Sequence, residues 1–337
     1  MESTSSPPRH SVLVIGCGSI GERHLRCFRN TGRTQVAVCD TNAGLVGEVA
    51  ARYGVPGFAS LDAALAAFPA EAWVICTPAH THLPIARRGM EIPVHLLIEK
   101  PLAVSLEGVA ALQERLKSYP RHVAVAYVYH TMPWMLEMRT ALLSGELGPP
   151  KHATVVAGQH FPTFRPTYRE LYYARHESGG GAIQDGLTHM ANVIEWLLGP
   201  STRLFCDAAH QVLDGVEVED TVNISARNGG VMVNYAYNQF QAPSEAEIRI
   251  HCERGSLAMQ LGERRWGTFR HGEPAWTWHV HPAVERDDWF IRQANSFLDG
   301  VEGKPSVLCT FDEAVQTLKF NLAALESARI GKAVEIS

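Results

Sequence analysis

At 337 residues, with 46 % apolar and 19 % charged side chains, the chain is long enough for two domains with substantial cores. A formal charge of -5 excludes the pull toward nucleic acid or anionic lipid that a basic protein exerts. No run approaches the roughly 20 apolar residues of a membrane helix, and the opening MESTSSPPRH lacks the apolar centre of a signal peptide and reads as a frayed tail.

In chain order, SVLVIG (11–16) is a β-run and 20–30 a helix, then QVAVCD (35–40) is a β-run and 44–53 a helix. A short extended piece at 57–59 leads into a helix over LDAALAAF. AWVICT (72–77) precedes a helix over 82–90, VHLLIE (94–99) a helix over 106–116, and HVAVAYVY (122–129) is the last strand of the series. Strands separated by helices of this length predict βαβ units and a doubly wound parallel sheet over residues 1–130. From about Lys151 the texture changes to longer strands with looser alternation, HATVVAGQ, TVNISAR, VMVNYAYNQF, EIRIHCE and SLAMQL, with a turn at Asn228-Gly229-Gly230. Helices are predicted over 183–198, 287–298 and 311–330. The expected fold class is α/β, with an α+β second domain over 131–337 that carries a large, mostly antiparallel sheet. Its final helix is placed to pack back on the first domain.

Chemistry concentrates at a few points. The first strand runs into Gly16-Cys17-Gly18-Ser19-Ile20-Gly21, a G-x-G-x-x-G turn opening a helix, which suits a dinucleotide pyrophosphate. Asp40, ending the next strand, would hold ribose hydroxyls and repel a 2′-phosphate, and no arginine follows it, which points to NAD. Its plainer reading is a turn-starting Asx residue. Thr77 and Pro78 end a strand of the same sheet and would line the nicotinamide side. The alternative is a rigid strand-ending turn, and the two readings are compatible. His82 is counted with Thr77 and Pro78 among the cofactor contacts, and reads as ordering the helix that follows rather than as reacting.

Glu99-Lys100-Pro101 ends the next strand, and alone it reads as a solvated charge pair. At a strand end in a dinucleotide crevice, Lys100 can stabilise a developing alkoxide, and Glu99 can hold that lysine or a cofactor hydroxyl. In the second domain Asp185 and His189 stand four apart on a predicted helix, where a carboxylate can orient an imidazole for acid–base work. The alternative is a helix-starting acid with a core histidine. Asn192 follows on the same helix. The segment 161–178 offers Arg165, Tyr168, Arg169, Tyr172 and Arg175 for a carboxylate, phosphate or polyol, or serves as an ordered interface loop. Seven cysteines include no C-x-x-C pair and sit largely in apolar strands, as small hydrophobes in a reducing cytoplasm. The H-x-H pairs His80/His82 and His279/His281 lack a third ligand at a workable spacing, so no metal is expected.

With these motifs in order, the sequence resembles the Gfo/Idh/MocA family, the glucose–fructose oxidoreductase and inositol dehydrogenase relatives, over essentially its whole length. The resemblance rests on GCGSIG, on T-P-x-x-x-H from Thr77 to His82, on H-x-x-x-E-K-P from His95 to Pro101, and on GGG-x-x-x-D-x-x-x-H running to WLLG. It implies that Lys100 is the active-site lysine, often followed by a cis bond to proline, that His189 is the general acid/base and that Asp185 is its neighbour. It also implies NAD as cofactor, a sugar, sugar acid, cyclitol or sugar nucleotide as substrate, and a homodimer or homotetramer built on the large sheet. One departure is His130, where relatives carry an arginine in G-Y-x-x-R-F-x-P. The expected activity is hydride transfer between a secondary alcohol and nicotinamide. Two rivals remain open: an isomerase, hydratase or lyase that retains NAD and uses it transiently, and a non-catalytic dinucleotide-binding regulator.

Overall fold

The computed structural model describes residues 10–170 and 172–337, which fall into two compact units. The first unit takes β1 (His10–Ile15), α1 (Ser19–Asn30), β2 (Thr34–Cys39), α2 (Ala43–Tyr53), β3 (Gly57–Phe58), α3 (Leu61–Ala67), β4 (Ala72–Ile75), α4 (His82–Glu91), β5 (His95–Ile98), α5 (Val109–Leu116) and β6 (Val123–Val125). The six strands pair in the order β3-β2-β1-β4-β5-β6, all parallel. Every residue of β4 and β5 is buried, as a sheet covered on both faces requires. The strand expected over 122–129 is only three residues long. Tyr127 N already bonds back to the Val125 carbonyl, and the chain coils through Val128–Thr131.

The second unit contains α6 (Pro133–Leu143), β7 (Pro150–His160), α7 (Phe161–Phe164), α8 (Thr188–Leu198), β8 (Ser201–Ala209), β9 (Thr221–Asn228), β10 (Val231–Asn238), β11 (Phe240–Cys252), β12 (Gly255–Gln260), β13 (Arg265–Arg270) and β14 (Thr277–Val280). The chain then returns to the first unit with α9 (Arg286–Val301) and ends in the second with α10 (Phe311–Ile330) and β15 (Val334–Glu335). The nine strands run β14-β13-β12-β11-β7-β10-β9-β8-β15. All neighbours are antiparallel except β7 and β10, which are parallel. The expected turn is there: Gly229-Gly230 joins β9 to β10 with Val231 opposite Asn228. Strict alternation along β10 buries Val231, Val233, Tyr235 and Tyr237 on one face.

The return segment 284–311, assigned from sequence to the second domain, packs in the first unit. Ala294, Phe297 and Leu298 of α9 share one core with Val12 and Val14 of β1 and Leu25 and Phe28 of α1. Asp287 receives Arg23 Nε at 3.0 Å and Arg26 Nη2 at 2.9 Å from α1. Val125 N donates to the Cys309 carbonyl, which covers part of the β6 edge. Among the described residues no helix is long and apolar enough to cross a membrane.

Candidate active site

The parallel register decides where the motif residues of the first unit fall. Ile15, Ile75, Ile98 and Val125 lie side by side across β1, β4, β5 and β6, and Cys39 of β2 is opposite Ile15. The residues that follow them, Gly16, Asp40, Cys76-Thr77 and Glu99-Lys100, therefore emerge along one carboxyl edge of the sheet. Neighbouring strands stand about 4.8 Å apart, so Lys100, two strands from the glycine loop, leaves the sheet ~10 Å away from it. This is the edge at which open α/β sheets bind ligands.

The three glycines do different things. Gly16 has φ +99°, and a Cβ there would meet the Cys76 carbonyl group at 2.7 Å. A Cβ on Gly21 would lie 1.8 Å from the Gly16 oxygen, so these two let α1 sit against the loop. Gly18 is exposed, has an ordinary φ of -64°, and a Cβ on it would meet nothing within 4 Å. Internal packing does not require glycine at 18; its bare backbone leaves room outside the fold, where a phosphate would approach the first N–H groups of α1. Ser19 is exposed and Ile20 half-buried at the same helix start. Asp40 accepts Cys17 N at 2.7 Å and Asn42 N at 2.8 Å, so it buttresses the glycine loop and forms the Asx turn as well. Burial and the Asp40 charge push the Cys17 thiol up to about 12, which leaves it an inert filler. A dinucleotide fits this set: an open glycine, a helix start and a fixed carboxylate.

Thr77 is half-buried and Pro78 exposed at the end of β4. The Thr77 hydroxyl accepts from Thr81 Oγ1 at 2.6 Å. His82, expected among the cofactor contacts, is 1 % exposed and lies beneath them. Its Nε2 is 2.7 Å from the Thr77 carbonyl and its Nδ1 3.0 Å from the Pro101 carbonyl, so it ties the ends of β4 and β5 together. Its burial pushes its pKa down, against the backbone acceptors and Glu99.

Glu99 also moves out of the cofactor set. It is 5 % exposed, with Oε1 at 2.7 Å from His24 Nε2 and Oε2 accepting the Lys100 backbone N–H at 3.0 Å. Of its two sequence readings, the one that holds the lysine matches this geometry. Burial works to raise its pKa, but the His24 hydrogen bond, the Lys100 ammonium and the Lys100 backbone N–H outweigh it and hold the carboxyl below its usual range. Lys100 is half-buried, and the Lys100-Pro101 bond is cis.

In the second unit, the helix expected over 183–198 opens with one wide π-helical stretch, Ala182–Leu187, before α8. Asp185 lies in the π stretch and is buried, while His189 lies one residue into α8 and is half-buried. Such π insertions recur at functional sites because they re-aim side chains. Glu219, which the sequence did not single out, anchors the start of this helix. It accepts Ile183 N at 2.8 Å and pairs with His176, whose pKa it raises. A Cβ on Gly181 would fall 2.7 Å from the same carboxylate.

The other substrate candidates divide. Tyr168 is 2 % exposed in a small core with Phe161, Leu213, Val216 and Val218, and its hydroxyl donates to the Asp214 carbonyl at 2.8 Å. It is packing, because both its ring and its hydroxyl are consumed internally. Asn192 is 1 % exposed and donates to Thr317 Oγ1 at 3.0 Å, within a network that joins α8 to α10, which takes it out of the substrate set. Arg165 donates to Tyr173 Oη at 3.1 Å and to the Phe164 carbonyl at 2.9 Å. The Tyr172 side chain lies outside the described residues. His130 is fully buried. Of the H-x-H residues, His279 stacks on Trp266 with centroids 4.5 Å apart and His281 Nε2 is 3.0 Å from Glu137. Among the described residues no three His, Cys, Asp or Glu side chains are grouped to hold a metal ion.

The chain matches the model of the NAD-binding Rossmann fold of the Gfo/Idh/MocA oxidoreductases over residues 10–127, and the model of that family's C-terminal domain over 135–258. It is 24 % identical over 331 residues to 1,5-anhydro-D-fructose reductase of Ensifer adhaerens, a match covering 96 % of this chain and 97 % of the relative. Inositol 2-dehydrogenase of Pseudomonas syringae pv. syringae (strain B728a) is 32 % identical over 192 residues, 55 % of this chain and 53 % of its own. Levoglucosan dehydrogenase in complex with NADH and levoglucosan shares the fold with a TM-score of 0.87 at 20 % identity, over 97 % of this chain and 99 % of that one.

Proposed function

The chain belongs to the Gfo/Idh/MocA family of NAD-binding oxidoreductases, and from that premise we propose that it transfers a hydride between NAD and a secondary alcohol of a sugar, sugar acid, cyclitol or sugar nucleotide. The observation that carries this reading is the alignment of Lys100 with the glycine loop, Asp40 and Thr77 along one sheet edge. The relatives named above support the substrate class, since anhydrofructose, inositol and levoglucosan are all polyhydroxylated rings.

Bound NAD supplies the hydride acceptor. In the oxidative direction His189 takes the proton of the reacting hydroxyl, Asp185 orients the imidazole, and the Lys100 ammonium stabilises the negative charge that grows on the oxygen. Gly18, the first turn of α1 and Asp40 hold the pyrophosphate and ribose, and Thr77 and Pro78 line the nicotinamide side. The outer face of the nine-stranded sheet, where Phe205, Met232 and Val156 are exposed, is the surface proposed for a homodimer or homotetramer. The free cysteines fit a cytoplasmic setting.

A panel of sugars, sugar acids and cyclitols with NAD, followed by NADH absorbance, tests the reading. On an active substrate Lys100→Ala and His189→Ala are each expected to lower kcat by about 100-fold or more. Full rates in both variants would remove them from the reaction. Substrate conversion without NADH release would instead identify a transient use of the cofactor.

A further inference from the structure

Glu99 and His24 form a buried pair that takes no part in the proposed hydride transfer. His24 is fully buried on α1, the helix whose start seats the dinucleotide, and lies between Phe28 and Phe290. Its Nε2 is 2.7 Å from Glu99 Oε1, while its Nδ1 has no hydrogen-bond partner. A proton on Nε2 and a bare lone pair on Nδ1 satisfy that geometry, because a second N–H would be buried against aromatic rings with no acceptor. The other carboxylate oxygen accepts the backbone N–H of Lys100. A buried carboxylate needs donors on both oxygens to stay in place, and here one comes from α1 and the other from the residue that carries the ammonium.

We propose that His24 is a positioning residue for Lys100: it holds Glu99, and Glu99 fixes the backbone from which the lysine leaves β5 and sets a negative charge beside its ammonium. The helix that receives the pyrophosphate thus also sets the lysine. The consequence for catalysis rests on Lys100 acting as proposed above; the effect on the lysine itself does not.

Two measurements separate these. Acetylation of Lys100 by acetic anhydride, followed by mass spectrometry of its peptide in the intact protein, reads the lysine directly. His24→Phe keeps the ring volume and removes the donor, and Glu99→Gln removes the charge. In both, the rate of Lys100 acetylation at a given pH is expected to change several-fold, because His24→Phe frees the carboxylate that holds the lysine's backbone N–H and Glu99→Gln removes the charge beside it. His24→Gln, which retains an N–H donor, is expected to restore the wild-type rate. On an active substrate, His24→Phe should lower kcat by about 10- to 100-fold with the NADH Kd within about threefold, and His24→Gln should recover most of it.

Equal Lys100 acetylation in wild type, His24→Phe and Glu99→Gln would overturn the inference, as would identical behaviour of His24→Phe and His24→Gln. If His24→Phe fails to fold, the Glu99→Gln and His24→Gln pair makes the same distinction. Should Lys100→Ala keep full turnover while the acetylation rates shift as expected, the catalytic reading of Lys100 fails and the positioning of the lysine stands.

Discussion

Gly18 and Gly21, neighbours in one loop, separate binding from folding. Gly18→Ala adds a methyl group that meets no protein atom, so its folding cost should be the small one of a weaker helix cap, about 0.5–1 kcal/mol. The NADH Kd measured by fluorescence should nevertheless rise by about tenfold, since the methyl occupies the approach of the phosphates. Gly21→Ala should do the reverse first, destabilising by roughly 1–3 kcal/mol as the Gly16 carbonyl is displaced. At the same scale, Glu195 is a buried carboxyl whose pKa burial raises to about 7, against the bonds it accepts from Thr317 Oγ1, Ser201 N and Gln316 Nε2. Raised above its ordinary 4.5, it binds its proton more tightly when folded, so its stabilising contribution is full below pH 4.5 and is lost as pH climbs through 7. Urea unfolding at pH 5 and pH 8 should show the wild type losing up to about 3 kcal/mol that Glu195→Gln does not lose. The variant's amide nitrogen can face Thr317, whose hydroxyl still reaches the Glu313 carbonyl.

At the scale of elements, the Asp185–His189 helix depends on an acid from a different part of the chain. Glu219→Ala would strip Ile183 N of its acceptor and His176 of its partner, at a cost of about 2–3 kcal/mol. It should also lower kcat, which steady-state assay of the purified variant would show. The His176 side chain is 43 % exposed, so the ion pair itself is screened and adds little to that cost. Its pH sense is nonetheless fixed: Glu219 raises the histidine, so the pair's contribution is present below the ordinary histidine range and fades as pH rises through the raised value. His176→Gln should remove that alkaline decline in stability. Much of the candidate site's layout in the first unit was legible at this scale. Glycine spacing, strand ends and E-K-P are local patterns, and parallel register then brings them to one edge. Glu219 was not legible, because nothing near it in sequence says which helix it caps. The π stretch was hidden too, since Ala182–Leu187 carries an ordinary helical pattern. Tyr168 and Asn192 failed as ligands for a related reason: residue type signals hydrogen-bonding capacity, and only the fold shows that Asp214 and Thr317 already use it.

For the whole molecule, the return segment marks where local pattern stops being informative. The pattern over 287–298 announces an amphipathic helix, but amphipathicity names a buried face without naming the surface that covers it. That surface is the core of β1 and α1. Burying Phe297 and Leu298 is worth roughly 2–3 kcal/mol each, a large part of the 5–15 kcal/mol that holds an ordinary domain. A fragment ending at residue 131 is therefore expected to give no cooperative thermal transition by circular dichroism. Joining 284–311 to it through a flexible linker should restore both the transition and NADH binding.

The placement of α9 also sets a schedule. Met132–Ala283 must leave the ribosome after β6 and before the helix that closes the first core. At about 5–20 residues per second that interval is roughly 8–30 s. Throughout it, the nascent first unit has its strands and α1 but lacks Ala294, Phe297 and Leu298 against Leu25 and Phe28. The half-made protein thus presents an open apolar face to the cell for many seconds, a natural station for a chaperone and the step at which slowing translation would most affect yield.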